Sequence, residues 1–154
     1  MGSNIRHVCI GGGGNASVAY LGVLQALEAN FKFAFGVDWG EYLENSITRF
    51  SGSSGGALLA LCMSLQLRFE DVLPLAEPFL SNPQKVLFAM VDVENIIQNY
   101  GMQRGDHFRD ILRKLFTVAG LSEETTFGRL YALTHRDFAC SGTNLNTGET
   151  TIFS

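Results

Sequence analysis

The stretch Phe50-Ser51-Gly52-Ser53-Ser54-Gly55-Gly56-Ala57 decides how this 154-residue chain reads. It contains G-x-S-x-G centred on Ser54, with Gly52 before it and Gly56 after it. A serine held on a sharp strand-to-helix turn needs small residues at those two places, because side chains there meet crossing backbone. The flanks suit that geometry. Residues 46–50 read as a strand, and residues 57–67, apolar almost all round, read as a buried helix. A helix that begins just after Ser54 aims its N-terminal dipole at the hydroxyl and favours negative charge developing there. Ser54 is therefore the candidate nucleophile, and Gly52 and Gly56 are the elbow glycines. The plainer alternative is a Ser/Gly-rich turn joining two buried elements.

Working outward, a second glycine cluster precedes the first helix. Gly11-Gly12-Gly13-Gly14 follows a short apolar run at residues 5–10, which predicts the first strand. Consecutive glycines at a helix start leave backbone N–H groups open to an anion, such as an oxyanion or a phosphate. The phosphate option fits poorly. A G-x-G-x-x-G pattern registered on Gly12 and Gly14 needs glycine where Ser17 stands, and no G-K-[ST] follows. Gly12, Gly13 and Gly14 are thus the candidate oxyanion-hole residues. A mononucleotide site is the weaker reading, and a packing loop the plainest.

The rest of the chain sets the fold class. Residues 17–29 place Val18, Leu21, Leu24 and Leu27 on one helical face. Residues 31–42, aromatic and punctuated by glycine, read as a loop. Residues 69–80 read as a helix that Pro74 and Pro78 break into pieces. Residues 92–100 predict a short helix ended by Gly101. Residues 106–116 give the clearest amphipathic helix, with Phe108, Ile111, Leu112 and Leu115 as its apolar stripe and Asp106 at its start. Residues 127–133 predict one more helix. Residues 137–141 and 150–153 read as strands joined through the turn signal Asn146-Thr147-Gly148. This order predicts an α/β layered fold with a mainly parallel sheet.

Composition narrows the classes further. Hydrophobic residues make up 46% of the chain and charged residues 17%, which suits a single packed domain spanning residues 1–154. The net charge of −4 argues against nucleic acid as a partner. The three cysteines, Cys9, Cys62 and Cys140, sit far apart among apolar neighbours and read as buried free thiols. His7, His107 and His135 are scattered, so no zinc-ligand spacing arises. No secretory leader and no apolar run of membrane-spanning length is visible, which predicts an intracellular location, cytoplasmic or peripheral to a membrane. Phe31, Phe33, Phe35 and Trp39 read as core packing, ahead of a role covering the site or touching lipid.

The two glycine motifs, in this order and spacing, resemble the patatin-like phospholipase family. There a G-G-G-x-[RK]-G loop forms the oxyanion hole, a G-x-S-x-G elbow carries the nucleophile, and a later D-G-[GA] supplies the aspartate of a Ser–Asp dyad. In this chain Gly12-Gly13-Gly14-Asn15-Ala16-Ser17 occupies the first motif and Gly52-Ser53-Ser54-Gly55-Gly56 the second. The closing Thr143-Asn144-Leu145-Asn146-Thr147-Gly148-Glu149 is also similar to family sequence. The resemblance implies a three-layer αβα fold and a lipid acyl hydrolase. It implies a phospholipid or other glycerolipid substrate, contact with a membrane surface, and chemistry that needs no metal or cofactor.

Three departures stand out. Ala16 replaces the basic residue, Ser17 replaces the last glycine, and no aspartate is followed by glycine. The resemblance therefore implies a chain that stops before the catalytic aspartate, incomplete at its C-terminus, with residues 150–153 left as an open sheet edge. A relative that binds lipid without turning it over is the alternative. A triad built from Asp110 or Glu123 with His135 would follow the α/β-hydrolase chain order and remains the other source of a base.

Overall fold

The computed structural model describes residues 5–81, 91–101 and 104–154. Four strands form one sheet in the order β1 (His7–Ile10), β2 (Arg49–Ser53), β3 (Asp137–Thr143) and β4 (Thr150–Phe153). The first three run parallel, and β4 returns antiparallel to β3. The expected α/β class with a mainly parallel sheet is the one observed.

The helices are α1 (Ala19–Phe35), α2 (Trp39–Ser46), α3 (Gly55–Ser64), α4 (Phe69–Ser81), α5 (Val93–Asn99), α6 (Asp106–Val118) and α7 (Phe127–Thr134). A 3₁₀ turn, Gly14–Val18, leads into α1. The pleat sends alternate strand residues to opposite faces. Val8, Ile10, Phe50, Phe138 and Cys140 share one face, and all belong to the main hydrophobic core with residues of α1, α2, α3 and α7. The other face carries His7, Cys9, Arg49, Ser51, Ser53 and Asp137, none of them in a core cluster. Of the three layers expected, the sheet and the helices on its Phe50 face are the ones that meet in the core.

Helix α3 explains why its sequence is apolar all round. It crosses the sheet under α1, and Leu59, Ala60, Leu61, Cys62 and Met63 are all buried. Such a helix is buried on most sides, as the pattern predicts. The expected α1 face packs as predicted, with Leu24 and Leu27 in the main core and Val18 and Leu21 in a second cluster. That second cluster also takes Ile111, Leu112 and Leu115 from α6, whereas Phe108 of the predicted stripe is half exposed.

Several expectations need correction. Residues 31–42 are not a loop. Helix α1 runs on to Phe35 and closes at Gly36, and α2 opens at Trp39 under an Asp38 cap that accepts from the Gly40 N–H at 2.8 Å. Phe31 ties this segment together through tilted ring contacts with Phe35, Trp39 and Tyr42, with centroids 4.5, 5.0 and 5.0 Å away. Core packing holds for Trp39, which is 5% exposed, but not for Phe33, which is 97% exposed.

Strand β2 starts later than expected and runs through Gly52 and Ser53, because the β1 ladder pairs Cys9 with Ser51 and Ile10 with Gly52. Helix α4 is continuous through Pro74 and Pro78. Each proline removes one backbone donor, but Val72, Leu75 and Ala76 pack against Leu21 and Leu115 and hold the turn together. Cys9 is exposed, not buried, because its strand position points to the face without core residues. Among the described residues, no helix is long and apolar enough to cross a membrane.

Candidate active site

Ser54 stands where β2 ends and α3 begins. Its backbone is at φ 53°, ψ −131°, a conformation that L-residues rarely adopt. The following residue starts α3, so the N-terminus of that helix lies directly behind the serine. The side chain is exposed, and among the described residues its hydroxyl has no hydrogen-bond partner.

The elbow glycines are fixed by space. A Cβ on Gly52 would lie 2.5 Å from the Gly56 carbonyl carbon and 2.6 Å from the Ala57 nitrogen. A Cβ on Gly56 would overlap the Gly11 carbonyl oxygen and stand 2.5 Å from that of Ile10. Strand β2, helix α3 and the end of β1 therefore meet backbone against backbone. This is what the G-x-S-x-G spacing requires.

The glycine loop comes to the same place. A Cβ on Gly12 would stand 3.4 Å from the Ser54 Cβ, so the loop backbone lies alongside the serine. Gly14 has φ +52°, and nothing lies within 4 Å of where its Cβ would be. Tyr20, one residue into α1, donates its hydroxyl to the Gly11 carbonyl at 2.9 Å and ties the loop to the helix. Gly12, Gly52, Ser54 and Gly56 are thus brought together, and Gly13 and Gly14 continue the same loop into the 3₁₀ turn.

Two residues at this junction escape a reading by motif. Gly55 lies against Ser17, whose side chain fills the space a Cβ on Gly55 would occupy. The Ser17 hydroxyl oxygen is buried and unpartnered. The sequence marks Ser17 only as a departure from the first motif. Its contact with the elbow is long-range and has no local signature.

The Asp/Glu–His alternative does not assemble at Ser54. The ladder pairs Arg49 with Asp137 and Ser53 with Ser141. His135 precedes β3, so it lies at the far end of the sheet, roughly 13 Å or more from the serine at ~3.3 Å per residue. Its ring packs edge-on against Tyr131. Asp110 and Glu123 are both engaged by Arg113, Asp110 at 3.2 Å. These ion pairs sit on exposed side chains.

The remaining polar groups near the sheet are distinct from the elbow. His7 Nε2 lies 2.9 Å from Ser51 Oγ on the face without core residues. Cys62, inside α3, is buried, and burial pushes its thiol up to about 12. It holds no thiolate at neutral pH and is no competing nucleophile. Among the described residues, no group of three or more His, Cys, Asp or Glu could hold a metal ion. An open cavity of about 310 Å³ is lined by Gly142, Thr143, Asn144, Thr151 and Phe153 on the β3–β4 hairpin, with no elbow residue among its lining.

Chemically, the junction offers an exposed hydroxyl at a helix N-terminus with the backbone of the glycine loop beside it. That arrangement serves attack on a carbonyl and stabilisation of the resulting oxyanion. In comparison with known proteins, a family model described as patatin-like phospholipase matches residues 8–153. No curated protein and no solved structure matches the chain.

Proposed function

Because the chain belongs to the patatin-like phospholipase family, a family of lipid acyl hydrolases, we propose that Ser54 is its nucleophile toward the acyl ester of a phospholipid or another glycerolipid. The observation that carries this reading is the backbone of Ser54, φ 53°, ψ −131°, at the head of α3 with Gly12 against its Cβ. Strain of this kind persists only where the surroundings enforce it, and it collects at functional sites.

In this mechanism Ser54 Oγ adds to the ester carbonyl carbon while its proton passes to a base. The carbonyl oxygen becomes an oxyanion held by N–H groups of the Gly12-Gly13-Gly14 loop and of Gly55. Collapse expels the alcohol of the lipid, which takes up a proton, and leaves an acyl-serine. Water then adds to the acyl carbon, the fatty acid departs, and a proton returns to Ser54 Oγ. The resemblance assigns the base to an aspartate followed by glycine, and none of the six aspartates here has glycine after it. The steps assigned to this chain's own residues are therefore attack, orientation and oxyanion binding.

Ala16, where the family loop has a basic residue, favours one second reading, a relative that holds lipid at this junction without turning it over. A membrane-surface substrate fits either reading, and the net charge of −4 gives no attraction to anionic lipid.

A fluorophosphonate probe separates the two. Covalent labelling that disappears in Ser54→Ala is the expected result. An unlabelled wild-type chain that still sediments with phosphatidylcholine vesicles would favour the non-hydrolytic relative and overturn the nucleophile assignment.

A further inference from the structure

Two features of the sequence that look unrelated meet at the junction. The first motif ends in Ser17 where the family pattern has glycine, and the elbow has Gly55 directly after its serine. The Ser17 side chain occupies the volume beside the Gly55 α-carbon, since a Cβ on Gly55 would overlap both Ser17 Cβ and Oγ. On its other side, a Cβ on Gly13 would stand 3.0 Å from Ser17 Oγ and 3.2 Å from Ser17 N. The hydroxymethyl group is therefore wedged between the glycine loop and the elbow.

What the wedge supplies is volume. Its oxygen is buried and makes no hydrogen bond, which for a hydroxyl is a cost and not a gain. The gap it fills lies between Gly13 of the loop and Gly55 of the elbow, whose backbone N–H groups are the donors that the proposed mechanism uses. An oxyanion needs such donors within a few tenths of an ångström of their working positions, and displacements of about 1 Å cost rate steeply.

We propose that Ser17 and Gly55 are a matched pair, in which the Ser17 side chain acts as the spacer that sets the distance between the glycine loop and the elbow. Ser17 is on this view a positioning residue acting through the backbone donors. The proposal rests on the reading of Ser54 as nucleophile for its consequence in reactivity, but not for the pairing itself. It predicts that the side chain can be moved across the gap. A methyl on residue 55 fills from one side the space that the hydroxymethyl of residue 17 fills from the other.

The test is a double-variant cycle on the whole chain, read by thermal melting and by the rate of fluorophosphonate labelling at Ser54. Ser17→Ala keeps the Cβ and removes only the unpartnered oxygen. It should melt no lower than wild type and label within about twofold of it. Ser17→Gly and Gly55→Ala should each slow labelling about tenfold, the first by opening the gap and the second by overfilling it. The melting temperature of Gly55→Ala should fall as well. In Ser17→Gly/Gly55→Ala both readouts should recover most of the way.

Additive losses in the double variant would overturn the pairing. So would a Ser17→Ala variant as slow as Ser17→Gly, which would place the effect in the hydroxyl. If the wild-type chain is not labelled, the nucleophile reading fails instead, and the melting cycle alone still decides whether the two residues are matched.

Discussion

Gly52 and Gly56 at the elbow touch crossing backbone, whereas Gly11 and Gly14 in the facing loop look into open space. In the sequence both clusters are glycine-rich, and both lie between a strand and a helix. Their physics differs. At the elbow the glycines are a packing requirement, since β1, β2 and α3 approach closer than any Cβ allows. In the loop Gly14 takes a left-handed φ of +52°, and nothing crowds it or Gly11. One cluster is set by close backbone contact, and the other by conformation and open space.

The hardest blow to this contrast comes from Gly56→Ala. The new methyl would overlap the Gly11 carbonyl oxygen and press on that of Ile10. Neither is a flexible side-chain end, so β1 and α3 must separate. Overpacking in a tight core costs typically 1–3 kcal/mol and occasionally more, and rigid backbone on the receiving side places this change at about 3 kcal/mol. Urea denaturation should show a large drop in midpoint, and Ser54 should lose its labelling. A stable, reactive Gly56→Ala protein would mean that the elbow is no tighter than the loop.

How much of this was legible in the sequence follows the same division. The elbow could be read because its requirements are local: glycines at fixed offsets, a strand before, an apolar helix after. The amphipathic faces of α1 and α6 could be read for the same reason. The helical path through residues 31–42 was obscured by aromatic residues without a clean period. Its stop and start signals were nevertheless present in Gly36 and Asp38, which close α1 and cap α2. Gly40 added to the loop-like look, yet it sits inside α2, where a Cβ would stand 3.0 Å from Arg68 Nη1. Arg68 in turn reaches Glu28 at 3.4 Å and Asp38 at 3.8 Å. The continuity of α4 through its prolines and the seating of Ser17 on Gly55 depend on contacts between distant segments. Local propensity carries no information about either.

An intermediate effect is expected at Gly14. Its φ of +52° is a left-handed conformation, and open space surrounds it. An alanine there meets no neighbour, but it carries the intrinsic penalty of an L-residue in that region, roughly 1–2 kcal/mol. Gly14→Ala should therefore lower the urea midpoint by less than Gly56→Ala does. Its effect on Ser54 labelling should be proportionally larger, because the strain is released by moving the loop and not the core. Equal losses of stability in the two variants would show that the loop is held as tightly as the elbow.

The smallest effect belongs to Gly11, and it is the sharpest check on the comparison. Gly11 has no left-handed φ, and nothing lies within 4 Å of where its Cβ would be. What the fold takes from it is its carbonyl, which accepts the Tyr20 hydroxyl at 2.9 Å and faces the Gly56 α-carbon. Alanine keeps that carbonyl in place. Gly11→Ala should change stability by less than about 0.5 kcal/mol, the range of surface changes that touch no special feature. It should also leave Ser54 labelling intact, since the new methyl comes within 4 Å of nothing. Tyr20→Phe at the other end of the same contact supplies the control. If Gly11→Ala is silent while Tyr20→Phe weakens labelling, the loop is held by its hydrogen bond and not by its glycine. If Gly11→Ala instead behaves like Gly56→Ala, the first glycine of the run belongs to the packed elbow, and the boundary between the two regions moves one residue into the loop.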